Sequence, residues 1–263
     1  MSSEDVVLYE VRDKISIITL NRPKVHACNL DVMKSLNEKL EMADDDENTT
    51  CVLLKSSGNR VFCAGIDIRN VPEDPQEKES YLNEVKVWGR KNNEKIMLMK
   101  KPVVCQVQGS AVGYGMELIM VSDLRIIADR PIEEMFFSMP EIDVKVYAQT
   151  GATIAPLLAF GLSFAKRILL TADKFGLDEL KNLEFPTRIY SMEDLEEKTL
   201  EFCMKLSNRP RSFLSLFKTT LTLMNNKLIS KCFDLEDECG IKSGELTSNK
   251  ELDEYIKKLF KEY

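Results

Sequence analysis

The sequence predicts an α/β fold that gives way to a helical C-terminal region. Three observations carry this reading. β-branched runs recur through the first half of the chain, amphipathic stripes with helical spacing separate them, and beyond about residue 150 the strand signal fades while the stripes continue. The chain has 263 residues, 44% hydrophobic and 30% charged, with only 11 Gly and 9 Pro. That length supports a sizeable core, and the composition is that of an ordinary globular protein rather than a fibrous or disordered one.

Residues 6–11 (VVLYEV) and 15–20 (ISIITL) read as strands joined through Arg12-Asp13-Lys14 as a hairpin, with Asn21-Arg22-Pro23 stopping the second. A helix with Asp31 as N-cap follows, its stripe formed by Met33, Leu36, Leu40 and Ala43, and it ends at the acidic run 44–47. Cys51–Leu54 is a buried strand. A loop through Pro72 and Pro75 leads to a helix around 79–99, a strand at 103–107, a glycine-rich turn at 109–115, a short helix and a strand at 124–128. Further on, Leu195, Thr199, Phe202 and Leu206, then Phe213, Phe217, Leu221, Met224 and Leu228, form helical stripes. Without a repeat or low-complexity linker between them, the halves meet at a soft boundary near 190–200, and the helical part reads as an extension of the first domain or an oligomerisation element.

Composition excludes several function classes. Lys plus Arg total 36 against 43 Asp plus Glu, a formal charge of −7, which disfavours a nucleic-acid binder because phosphate neutralisation needs a basic surface. The longest apolar stretches, such as 103–107 and 118–121, fall far short of the roughly 20 residues of a membrane span. Met1–Glu10 lacks the features of a secretory or transit leader, and Lys261-Glu262-Tyr263 is not a peroxisomal tripeptide. Seven scattered cysteines without a C-x-x-C pair point to a reducing compartment, so a cytoplasmic location is expected. A single histidine, His26, in a turn-like stretch, leaves too few soft ligands for a zinc site. No metal is expected, and carboxylates are left to handle protons.

Three elements stand out. Lys101-Pro102 leads a strand into Gly109-Ser-Ala-Val-Gly113-Tyr114-Gly115-Met116-Glu117-Leu118, a glycine turn opening a helix, which aims unpaired N–H groups and the helix dipole at one point. It fails as a dinucleotide fingerprint because Leu118 stands at the third glycine position. Read alone, it equally describes strand-to-helix packing, with Glu117 as a first-turn acid. A second turn, Gly58 to Asp67, places Cys63-Ala64-Gly65 after the strand at 51–55, with Cys63 a packed thiol. The third is Phe136-Phe137-Ser138-Met139-Pro140-Glu141, an apolar run whose plain reading is an exposed turn carboxylate.

Taken jointly, these elements resemble the crotonase group, the enoyl-CoA hydratase/isomerase superfamily. The pattern runs Ile-Thr-Leu-Asn21-Arg22-Pro23, Phe62-Cys63-Ala64-Gly65-Ile66-Asp67, Lys101-Pro102 with Gly109 to Leu118 and Ser122-Asp123, then Phe137-Ser-Met-Pro140-Glu141. It covers about residues 6–175, with a weaker helical match beyond. The resemblance implies a crotonase-like ββα spiral core over 1–195 for acyl-CoA binding and catalysis, and a C-terminal helical trimerisation region over 196–263. It implies a homotrimer or homohexamer (a dimer of trimers), a coenzyme A thioester as substrate and no further cofactor.

By motif position, the resemblance assigns the backbone amides of Ile66 and Tyr114 to an oxyanion hole. It makes Glu117 and Glu141 the catalytic pair that adds water across the C2=C3 bond of a 2-enoyl-CoA, with Glu141 giving the proton to C2. Substrate and coenzyme contacts fall by the same reasoning on Lys24, Val25, Ala64, Ile66, Asp67, Ile68, Arg69 and Tyr114, and on Lys257 and Phe260, often across a subunit boundary. Lys257 equally reads as the solvated face of a helix packed by Leu252, Tyr255, Ile256 and Leu259. The family usually carries glycine where Tyr114 stands, and the wall after Glu141 departs from it at Lys145 and at Tyr147-Ala148-Gln149. Two further readings of the same site are a 3-enoyl-CoA/2-enoyl-CoA isomerase or related carrier-protein chemistry, and a catalytically silent acyl-CoA binder.

Overall fold

The structure is a computed structural model that describes residues 5–69 and 71–262. Part of the leader reading (1–4) and the final residue of the terminal tripeptide therefore lie outside the described residues. The hairpin is present: β1 (Val7–Arg12) pairs antiparallel with β2 (Ile15–Leu20), Val7 opposite Leu20. Helix α1 (Leu30–Asp45) follows. Its cap is Asn29 rather than Asp31, because the Asn29 side chain accepts from Val32 N at 3.0 Å, while Asp31 lies one step inside as a first-turn acid. Met33, Leu36, Leu40 and Ala43 are its buried stripe, as the spacing requires.

From there a unit repeats three times, each giving one strand to a large sheet, one to a small sheet and one helix. The units are β3 (Cys51–Ser56), β4 (Val61–Cys63) and α2 (Pro75–Leu98); β5 (Val103–Val107), β6 (Ser110–Val112) and α3 (Tyr114–Val121); β7 (Leu124–Ala128), β8 (Phe137–Ser138) and α4 (Ile154–Phe160). Then come α5 (Leu162–Thr171), α6 (Leu177–Asn182), β9 (Arg188–Tyr190), α7 (Leu195–Ser207), α8 (Arg211–Glu245) and α9 (Asn249–Glu262). The large sheet has the order β1-β2-β3-β5-β7-β9, parallel from β2 onward, and the small one is β4-β6-β8, also parallel.

Two expectations change here. The glycine-rich turn at 109–115 contains strand β6, and the run at 136–141 contains β8 rather than only an exposed turn; both are too short to show a period-two pattern. Helix α2 also starts earlier than expected, at Pro75. Asp74 caps it by accepting from Gln76 N and Glu77 N at 3.0 Å each, with proline at the first helical position.

Strands β2 and β5 are buried along their whole length, as parallel strands covered on both faces must be. Alternate residues serve the two faces. Val103, Cys105 and Val107 pack with Leu36, Leu40 and Leu118 on one side, while Val104 packs with Ile17, Leu53, Leu195 and Cys203 on the other. Burying each such aliphatic side chain contributes about 2 kcal/mol. Lys101 is fully buried where β5 begins: its ammonium donates to the carbonyls of Ala43 and Asp46 and to Thr49 Oγ1 at 2.8 Å, so it ties the carbonyl end of α1 to the sheet.

The C-terminal stripe behaves differently from the others. Phe217 and Met224 on α8 are 70% and 78% exposed, so this apolar face is helical as its spacing requires but has no cover among the described residues. No described helix is long and apolar enough to cross a membrane.

Candidate active site

The repeating unit brings the ends of β4, β6 and β8 together, and the three sequence elements meet there. They line one cavity of about 380 Å³, the size of a small-molecule site. Ala64, Ile66, Ile68, Tyr114, Glu117 and Glu141 all reach it. A larger groove of about 650 Å³ beside β1 and α7 contains none of the candidate residues.

Two backbone donors face the cavity without partners. Residues 28 and 66 form a parallel bridge in which Cys28 N donates to Gly65 O at 2.8 Å and Asp67 N to Cys28 O at 2.9 Å. That pattern uses the Gly65 carbonyl and the Asp67 amide, and because Ile66 N–H shares a trans peptide with that carbonyl it points the opposite way, away from Cys28. Tyr114 N is the first amide of α3 and has no carbonyl to reach within its own helix. Among the described residues, neither amide has an acceptor. Gly65 lets the two approach: its φ is +88°, and a Cβ there would lie 2.8 Å from Val112 O and 3.5 Å from Tyr114 N.

The carboxylates have contrasting surroundings. Glu117 in the first turn of α3 is 2% exposed, and its Oε2 accepts from Asn93 Nδ2 at 2.9 Å and Thr150 Oγ1 at 2.6 Å. Burial pushes its pKa well above the usual carboxylate range, the neighbouring charges of Glu141 and Glu236 add to this, and the Thr150 and Asn93 hydrogen bonds oppose it. Glu141 is also pushed up by burial, and its Oε2 is buried with no partner among the described residues. Its Oε1 rests against Gly113, where φ is +53° and a Cβ would come within 2.6 Å of that oxygen.

Tyr114, where the family usually carries glycine, is 2% exposed, and its hydroxyl donates to Gly89 O of α2 at 3.4 Å. Gly89 leaves room chiefly for Thr150, since a Cβ there would lie 2.8 Å from Thr150 Cγ2, with Tyr114 Cε2 at 3.4 Å.

The remaining candidates are placed less centrally. Val25 lies beside the loop, its carbonyl accepting from Ala64 N at 3.0 Å, and Lys24 next to it is exposed. Asp67 is buried in an ion pair with Arg22 at 2.7 Å and accepts from Arg69 N at 3.1 Å, so it braces the loop. Arg69 is exposed. Lys257 and Phe260 on α9 are exposed and do not line this chain's cavity.

Sequence reasoning missed Asn93, Thr150 and Glu236. Glu236 of α8 is 1% exposed and accepts from the amides of Gly151 and Thr153 at 2.7 Å each, so the loop carrying Thr150 is fastened from far along the chain. The only signal for Asn93 is its place on one α2 face with Leu82, Lys86 and Gly89, at spacings of four, three and four.

Known proteins resemble this chain in sequence and fold. A family model described as enoyl-CoA hydratase/isomerase matches residues 10–252. The chain is 24% identical over 249 residues to a short-chain-enoyl-CoA hydratase of Clostridium acetobutylicum, covering 88% of this chain and 91% of that protein. It is 30% identical over 196 residues to a crotonyl-CoA hydratase of Syntrophomonas wolfei, covering 74% and 72%. The crystal structure of an enoyl-CoA hydratase from Bacillus halodurans superimposes with a TM-score of 0.81 at 19% identity, over 90% of this chain and 94% of that one, and shows the shared fold. The chain is therefore an enzyme of the enoyl-CoA hydratase/isomerase family, with the crotonase fold.

Proposed function

We propose that the chain hydrates a 2-enoyl-CoA thioester. The observation that carries this reading is the convergence of two unpaired amides, Ile66 N–H and Tyr114 N–H, with two buried carboxylates, Glu117 and Glu141, on one cavity. The amides hold the thioester oxygen. As the double bond is attacked, its electron pair moves onto that oxygen, and fixed donors bind the resulting enolate more strongly than the ground-state carbonyl. Losing one such donor costs about 3 kcal/mol.

Burial raises Glu117 further than Glu141, but Glu117 carries two donors that favour its ionised form and that Oε2 of Glu141 lacks, which suits Glu117 as the base that takes a proton from water as the oxygen bonds to C3. Glu141, buried without such donors on Oε2, suits the acid that gives a proton to C2. Water is thereby added across C2=C3, and each acid ends in the other's starting charge state. A coenzyme A thioester is the substrate in this reading, and no further cofactor takes part.

The exposed apolar face of α8 supports reading 196–263 as an oligomerisation region, forming a homotrimer or a dimer of trimers. In such an assembly Lys257 and Phe260 serve a neighbouring subunit's ligand. The deciding experiment mixes the full chain with crotonyl-CoA and follows the conjugated-enoyl absorbance. Its decay, with 3-hydroxybutyryl-CoA as product, is the expected result. No decay together with conversion of a 3-enoyl-CoA to its 2-enoyl isomer would replace hydration by isomerisation.

A further inference from the structure

The cavity holds a cation that the hydration chemistry does not use. Lys86 of α2 lines it, half-buried, and among the described residues forms no ion pair. Burial depresses its pKa, and Asp237 and Glu79 only partly offset this. Asp237 is already engaged, accepting from Gln149 at 3.2 Å and paired with Arg90, whose guanidinium also meets Glu94 and Asp234. The cavity lining is mainly apolar, with Tyr147, Gln149 and Ser243 among its polar members besides Lys86.

Position decides what such a cation would meet. Lys86 lies seven residues before Asn93 on the same α2 face, about 10 Å along the helix axis from the residue that touches Glu117. The flexible four-carbon stem of Lys86 covers part of that interval, and an acyl chain of a few carbons beyond the reacting C3 covers the rest. In coenzyme A the phosphates are separated from the thioester by the whole pantetheine arm, a longer span than this interval.

We propose that Lys86 receives a carboxylate at the far end of the acyl chain, making the preferred ligand a short dicarboxylic acyl thioester. The inference rests on the acyl-thioester reading above and adds its substrate class. An anion there restores the charge partner that a half-buried ammonium lacks, and hydrogen bonds to ionised groups are the stronger kind.

The test uses two saturated thioesters that cannot be hydrated, glutaryl-CoA and butyryl-CoA, which differ by the terminal carboxylate. Their binding to the full chain is measured by calorimetry. Glutaryl-CoA is expected to bind tighter by about tenfold or more, with Lys86→Met abolishing the preference and Lys86→Arg keeping most of it. Equal affinities in the unaltered chain, or a preference that survives Lys86→Met, overturn the proposal while leaving the thioester reading standing. Equal weakening of both ligands by Lys86→Met assigns the lysine to the coenzyme phosphates and also overturns it. Binding of neither ligand overturns both readings.

Discussion

The Thr150 hydroxyl stands 2.6 Å from Oε2 of Glu117, and Thr150 has the left-handed φ of +74°. That conformation is uncommon for a β-branched residue. It is held by the next residue's amide, since Gly151 N donates to the buried Glu236 of α8. A helix from the C-terminal region thus sets the surroundings of an acid near residue 117.

Thr150→Val removes a donor that favours the ionised form of Glu117, so its pKa rises further from an already raised value. With Glu117 as base, activity increases with pH as that group ionises. The acidic limb of the kcat/KM profile is expected to move to higher pH, with about a tenfold loss near neutrality. A limb that stays in place would remove Glu117 from the base role.

Glu141→Gln keeps the shape of the site and removes its transferable proton. Hydration is expected to fall by about 10²–10⁴-fold while a saturated acyl-CoA still binds. Turnover at the normal rate would exclude Glu141 from the mechanism. Isomerisation of a 3-enoyl-CoA that survives Glu117→Gln would favour the isomerase reading, in which Glu141 alone moves the proton.

Gly113→Ala places a Cβ 2.6 Å from Glu141 Oε1 at a backbone φ of +53°. The carboxylate must swing aside, and the backbone there, φ +53° and ψ −123°, is one that residues other than glycine rarely adopt, costing a further ~1–3 kcal/mol. Turnover is expected to drop by more than the fall in Tm explains, when both are measured on the same preparation. Equal activity would show that Glu141 need not rest where it does.

Glu117, Glu141 and Glu236 are all raised above the ordinary carboxylate value near 4.5. Groups raised in the folded state contribute stability that is present below the unfolded value and lost as pH climbs through the folded values. Denaturant midpoints attributable to this set should therefore fall as pH rises above about 4.5. Glu117→Gln removes one ionisation, so the slope is expected to flatten and stability at neutral pH to rise. An unchanged slope would count against burial as the cause.

Much of the core was legible in the residues. The hairpin, the α1 stripe and strands 103–107 and 124–128 follow from apolar periodicity, because buried faces repeat at intervals of two or about 3.6 residues. Strands β6 and β8 were not legible, since three and two residues carry no period. The cap on α1 was misplaced by two residues because Asn29 and Asp31 are both competent caps, and only the backbone decides which side chain reaches Val32 N.

Sequence alone determined the α/β class and the motif set, and the resemblance those motifs carry named Ile66, Tyr114, Glu117 and Glu141 as candidates. Periodicity and motifs are local properties, written in neighbouring residues. Tertiary structure alone decided that Asp67 braces its loop against Arg22, that the Tyr114 hydroxyl reaches Gly89 O of α2, and that Glu117 is held by Asn93 and Thr150. It also brought Glu236, 119 positions along the chain from Glu117, under the loop that touches it. Such contacts depend on how separate helices pack, and no periodicity in one segment records which polar side chain another segment will bring beside it.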